Sequence, residues 1–352
     1  MQENHEYQIF RDLILPNPWN KVSRKLIPAN LHKEMKRYFI LFFLFILYTS
    51  CDKKSSAEKA VEEIPLTLQI ERFDKIFYET PAEKLPAVKN RYPYFFPGND
   101  DNVWLDKMKD PIWREVYTEV QKKYGNFEPQ RKEAEDLFRH IMYYFPQSRT
   151  PKLITLISEM DYNNKAIYAD SLVLVSLELY LGKDHKFYGP FAAYLRQNFE
   201  TRQIMPDIVS SFAQTKIPPP DNTLLAQMVY YGKELYLKDM LLPEYTDAER
   251  IGYLPEQIDW CAENESYIWR YMIESKLLYD TDSKLPNRFI NPAPFSKFYL
   301  EIDNDSPGRV GQWIGWQIVR SFMENNDISL ADMLKMDARE LFEKSKYKPK
   351  KV

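Results

Sequence analysis

The stretch 35–51, MKRYFILFFLFILYTSC, fixes where the rest of the chain has to fold. Lys36 and Arg37 give it a basic start, 38–48 is an unbroken apolar and aromatic run, and the small Thr49 and Ser50 lead into Cys51. A basic region, an apolar core and small residues, in that order, make a secretory signal peptide. A helix needs roughly 20 apolar residues to span a bilayer, and this run falls well short. It is read as an export signal, so the residues after it are expected to fold outside the cytosol.

The junction resembles the lipobox of bacterial lipoproteins, in which the chain is cut before a cysteine that is then acylated. Tyr48 stands where that pattern usually has leucine, with Leu47 one place further out. Each buried methylene of an acyl chain contributes about 0.8 kcal/mol, and two chains suffice for stable anchoring. Membrane lipid is therefore the expected partner of Cys51. The expected location is the cell envelope, at the outer membrane on its periplasmic or surface face. Residues 1–34 read as an upstream start-site extension, with Met35 the initiator and 35–50 the signal. Residues 51–63 are polar without an apolar face and read as a tether. One globular domain is expected over 64–345 and a basic tail over 346–352.

Residues 51–352 carry 41 Lys plus Arg against 47 Asp plus Glu, a net charge of −6. No basic stripe is present to neutralise phosphates, and no nucleic-acid partner is expected. With Cys51 committed to lipid, Cys261 has no disulfide partner within the chain. Beside Trp260 in a helical pattern, it reads as a buried, inert thiol.

Apolar periodicity predicts an α+β fold, predominantly α-helical, with a small β-hairpin or sheet near the middle. Residues 66–70 read as a strand, followed by an irregular or helical piece at 73–77. Helical stripes follow at Val116, Tyr117, Val120 and Tyr124, then at Ala134, Leu137, Phe138 and Met142. His140, within the second stripe, reads as a hydrogen-bonded packing residue. Runs at 152–157, 166–168 and 172–176 read as strands, with Asn163 and Asn164 supplying the turn between the first two. His185, in the loop after them, reads as solvent-facing.

After the stiff prolines 218–220, Asp221 is the expected N-cap of a helix whose apolar face is Leu224, Leu225, Met228, Val229, Leu235 and Tyr236. Two separate helices are expected at 256–263 and 267–278. A last one is expected to start with Ser306 as cap and Pro307 in its first turn. Gly311 and Gly315 share a face there. Arg309, Gln312, Gln317 and Arg320 exclude a lipid span, so the glycines read as close packing of this helix on a neighbour.

Most common catalytic templates are missing. His140 and His185 are too far apart in sequence for an H-E-x-x-H helix, and no G-x-S-x-G elbow, phosphate loop or dinucleotide fingerprint occurs. No metal, cofactor or catalytic residue is assigned. Carboxylates do occur among aromatics, at Glu234, Asp239, Glu263, Glu265 and Glu274. A glycosidase needs two such groups roughly 5–10 Å apart, one of them raised in pKa by a dry environment. Wet helix faces carry carboxylates in any soluble protein, which is the plainer reading. Arg309, Gln312 and Arg320 are a second candidate, because a guanidinium near a helix N-terminus can receive a carboxylate. Salt bridges to the acidic helices are the alternative there. Candidate binding residues are thus Glu234, Glu274, Arg309, Gln312 and Arg320.

Three longer stretches, YYGKELYLKDMLLP at 230–243, IGYLPEQIDWCAENESYIWRYMIESKLLYDTD at 251–282 and SPGRVGQWIGWQIVRSFM at 306–323, together with the signal, resemble the gliding motility lipoprotein GldB family of Bacteroidetes. That resemblance implies a membrane-anchored envelope protein needed for movement over surfaces, with protein partners in a motility assembly and no established enzymatic activity. The arrangement is also similar to a degenerate zincin-type metallopeptidase, with residues 231–236 in the metal-helix place and Glu274 as the later glutamate. Tyr, Gly, Lys and Glu stand where imidazoles are needed, so zinc hydrolysis is not expected. The alternatives are a divergent metallopeptidase-like or cell-wall hydrolase, or a generic periplasmic binding lipoprotein.

Overall fold

The computed structural model describes residues 55–98 and 100–350; all of 1–54, the signal and Cys51 included, lies outside them. The chain opens with helix α1 (Ser56–Glu62), whose Val61 is buried. The helical body thus begins ahead of the boundary placed at Ile64, because Ala57, Ala60 and Val61 form a small apolar face in an otherwise polar segment, enough to dock it. Strand β1 (Ile70–Arg72) runs directly into α2 (Phe73–Glu79). Helix α3 (Pro111–Tyr124) is capped by Asp110, which accepts from the N–H groups of Ile112 and Trp113, with proline at the first position. Helix α4 (Glu128–Tyr144) follows.

Strands β2 (Lys152–Leu156), β3 (Ala166–Ala169) and β4 (Leu172–Ser176) complete a sheet of order β1-β2-β4-β3, with only β3 antiparallel to its neighbour. The hairpin therefore joins β3 to β4, not β2 to β3. It turns at Asp170, which adopts a left-handed φ of 48°, and Ser171. Strands β2 and β4 are apolar along most of their length and take the buried middle, whereas β3, with exposed Ile167, takes the edge. Asn163 and Asn164 sit in a turn tied to Asp161, ahead of β3. Both flanks of the sheet are blunted. β1 is three residues long, and on β3 the Tyr168 N–H donates to Ser211 Oγ of the covering helix α5 (Ile204–Gln214) at 2.8 Å.

The C-terminal half is helical. α6 (Leu224–Leu241) is capped by Thr223, which accepts from the Ala226 N–H, and Asp221 in turn holds Thr223 by its N–H and hydroxyl. The expected cap thus acts one step back. After α7 (Asp247–Ile251), helix α8 (Pro255–Glu274) is continuous rather than two pieces. Its polar middle interrupts the apolar stripe without breaking the helix, and Asn264 there donates to the Trp260 carbonyl one turn back. Helix α9 (Val310–Asn325) starts later than the sequence suggests. Ser306 and Pro307 belong to the preceding loop, where they bond Ser296, and Arg309 takes a left-handed φ of 66° before the helix begins.

Helices α6 and α9 cross backbone to backbone. A Cβ on Gly315 would lie 1.8 Å from the Met228 carbonyl oxygen, and one on Gly232 would lie 2.2 Å from that of Gly315. The close packing expected of Gly315 is present, with Gly232 as its counterpart. The chain closes with α10 (Leu330–Lys335) and α11 (Ala338–Ser345). Beyond α11, the Tyr347 hydroxyl donates to Glu265 at 2.7 Å and its ring packs on Trp269, so the start of the basic tail is pinned to α8. The fold is α+β and predominantly helical, as expected. No described helix is long and apolar enough to cross a membrane.

Candidate functional site

Several segments converge on a cleft of about 380 Å³. α6 supplies Tyr231, Glu234, Leu235 and Lys238, whose spacing puts them on one helical face, and α5 supplies Asp207, Ser210 and Gln214 by the same rule. The approach to β3 brings Lys165, and the turn before α5 brings Tyr194, Gln197 and Asn198. The far wall is the α7–α8 turn, with Tyr253 and Gln257, and the start of α9, with Arg309 and Gln312. Gly252 ends α7 with φ 69°, and a Cβ there would sit 2.8 Å from Asn198 Oδ1. Glycine is thus required by the turn and by the close approach of Asn198.

The carboxylates of the cleft are each held by a lysine. Glu234 Oε1 accepts from Lys238 Nζ at 3.0 Å and from Ser210 Oγ at 2.6 Å. Asp207 Oδ2 accepts from Lys165 Nζ at 2.6 Å and from the Tyr180 hydroxyl at 2.9 Å. Burial pushes the Tyr231 phenol upward, Glu234 adds to the rise, and Arg309 opposes it. Arg309 donates to the carbonyls of Ile251 (2.9 Å) and Gly252 (3.0 Å) and lies 4.9 Å from the Tyr253 ring. Among the described residues it forms no ion pair. Salt bridges to acidic helices were the alternative for this residue, but its partners are the orphan carbonyls at the end of α7.

The candidates named from sequence separate into different places. Glu234, Arg309 and Gln312 line the cleft. Gln312 is buried, with Nε2 donating to the Ile290 carbonyl at 2.8 Å. Arg320 does not join them. It forks onto Asp239 and Asp247 at 2.7–2.8 Å, and its guanidinium lies 3.8 Å from the Trp316 ring centroid. Here the salt-bridge alternative holds. Glu274 is exposed at the end of α8 and does not line the cleft, so it cannot play the later glutamate of a zincin there. Glu263 is also exposed, and Glu265 is engaged by Tyr347. The carboxylates noted among aromatics are therefore not a constellation.

Other single residues fall as follows. Cys261 is fully buried, and burial pushes its thiol up, consistent with an inert packing role. His140 Nδ1 bonds the Asp136 carbonyl at 3.0 Å within α4. His185 is not solvent-facing. It is half-buried, accepts from the Phe187 N–H and packs on the Phe187 and Tyr188 rings, because its loop folds back in a short turn. Among the described residues no three His, Cys, Asp or Glu side chains converge as a metal would require. Lys165, Asp207, Gln197 and Asn198 are cleft residues that the sequence does not single out, and Tyr231 is marked there only as the start of the metal-helix analogy. The clustering of amides just before α5 was the one signal available for them.

Fold and cleft together define a predominantly helical α+β protein with a polar recess framed by two crossing helices and the sheet edge, its carboxylates paired with lysines and its Arg309 left without a counter-charge among the described residues. Residues 54–349 match the family model described as gliding motility protein GldB, and the chain belongs to that family. No curated protein and no solved structure matches it.

Proposed function

We propose that this protein is a lipid-anchored, non-catalytic component of the gliding machinery, held in the cell envelope by acyl chains on Cys51 and acting by recognition at the polar cleft. The observation that carries this reading is the family match, which spans the folded body. Two features support its finer parts. The basic, apolar and small-residue order ahead of Cys51 fits an exported lipoprotein. The pairing of Glu234 with Lys238 and of Asp207 with Lys165 leaves neither carboxylate set apart in a dry environment as a general acid, which favours binding over bond cleavage.

The test is replacement at the chromosomal locus. Cys51→Ser should remove labelling by radioactive palmitate, release the protein from the membrane fraction and abolish spreading of colonies over agar. A Cys51→Ser protein that still labels and sediments with membranes would sink the anchoring. Turnover of a peptide or cell-wall glycan by the purified protein, abolished in a folded Glu234→Gln variant, would sink the non-catalytic reading.

A further inference from the structure

We infer that the cleft is a binding site for an acidic saccharide, with the sugar carboxylate on Arg309 and the hydroxyls on a set of immobilised glutamine carbonyls. This rests on the reading of the cleft as a recognition site and names its ligand class.

The charge balance comes first. Of the cations at the cleft, Lys165 and Lys238 are neutralised by Asp207 and Glu234, and Arg250 by Asp239 and Asp247. Arg309 is neutralised by none of the described residues. Its two terminal nitrogens each donate to a carbonyl, so the guanidinium is fixed in place with donors to spare. A half-buried guanidinium without a counter-charge is a place where a ligand carboxylate is favoured over water, by charge-assisted and often bidentate hydrogen bonds.

The rest of the wall sets the body of the ligand. Gln197, Gln203 and Gln312 each spend their amide nitrogen on a backbone carbonyl, of Gly252, Glu249 and Ile290 respectively, at 2.8–3.0 Å. Those bonds orient the amide planes and leave the three Oε1 atoms without a donor among the described residues. The Asn198 side chain makes no hydrogen bond among the described residues. An array of fixed neutral acceptors is matched by a ligand rich in hydroxyl donors. Tyr162, which is exposed, and Tyr194, which is half-buried, add ring faces for the apolar side of a pyranose.

An extended peptide is the other ligand with donors and a carboxylate, and the sheet argues against it. Peptides in such a position gain affinity by adding to a strand edge, yet the β3 edge beside Lys165 is spent on Ser211 and covered by α5.

Isothermal titration of the detergent-solubilised full-length protein decides the matter. The probes are tetragalacturonate, glucuronate-containing hyaluronan oligomers, the methyl ester of tetragalacturonate, and an uncharged peptide with a free C-terminal carboxylate. At least one acidic oligosaccharide should bind, and its affinity should fall at least tenfold in Arg309→Gln and in Asn198→Ala; the ester should bind at least tenfold more weakly than tetragalacturonate. If Arg309→Gln does not fold, Asn198→Ala and the acid–ester comparison still decide. Equal binding of ester and acid, binding of the peptide alone, unchanged affinity in Asn198→Ala, or no binding of any probe at millimolar concentration would each overturn the assignment. A null result here leaves palmitate labelling and colony spreading unaffected, so it is distinguishable from failure of the motility reading.

Discussion

Glu178 lies just past β4 with none of its surface exposed. Its Oε1 accepts from the Ser158 N–H at 2.8 Å and the Ser158 hydroxyl at 2.5 Å, while Oε2 has no partner among the described residues. Burial, opposed by those hydrogen bonds, pushes its pKa from 4.5 up to about 7. A folded-state pKa above the unfolded one means that the neutral acid's contribution is complete below 4.5 and is lost as pH rises through 7. Relative to Glu178→Gln, the parent should therefore lose on the order of 3 kcal/mol between these limits. Urea titrations of both proteins across that range check it, and a constant difference would show that Glu178 does not titrate there. Little of this was legible in the sequence. Glu178 follows an apolar run without any sign that its carboxyl turns inward. Arg320 and Asp239 were both noted, but a contact across 81 positions has no local signal.

At the scale of elements, the α6–α9 crossing offers the sharpest test. With the Met228 carbonyl where a Cβ would go, Gly315→Ala must push two helices apart along their most closely packed turn. A loss of about 3 kcal/mol or more is expected, since overpacking of a tight core contact typically costs 1–3 kcal/mol and here the obstacle is backbone. A lowered urea midpoint with an unchanged slope would report it; an unshifted midpoint would mean that the helices do not meet at this residue. The glycine spacing in α9 was readable as a contact face, but its counterpart Gly232 was not, because a lone glycine in α6 carries no periodic signal. Strand identity was legible from the aliphatic runs, whereas strand order was not. Placing β4 between β2 and β3 depends on which strand is apolar on both faces, a property that appears only once the helices cover the sheet. The single span of α8 was missed for a related reason, since an interrupted apolar stripe on a half-exposed helix looks like two helices.

At the scale of the molecule, the cleft was the least legible feature. Its walls come from segments spread between Tyr162 and Gln312, and amides read in sequence as ordinary solvated loop residues. Only Glu234, Arg309 and Gln312 were singled out beforehand, and what they share became visible when α6, α7 and α9 were brought together. If the lipid anchor proposed above holds the protein on a membrane, the sheet has a consequence of its own. Anchoring confines neighbours to two dimensions and multiplies their encounters, which is the setting in which open strands zip into fibres. With one flank only three residues long and the other bonded to Ser211 and covered by α5, the described sheet gives crowded copies little edge along which to pair. The solubilised protein is accordingly expected to scatter light as a monomer over a wide concentration range, and a concentration-dependent gain in β-sheet signal would contradict that. Under the proposed anchoring, density on the membrane could then rise without the sheets of neighbouring copies joining.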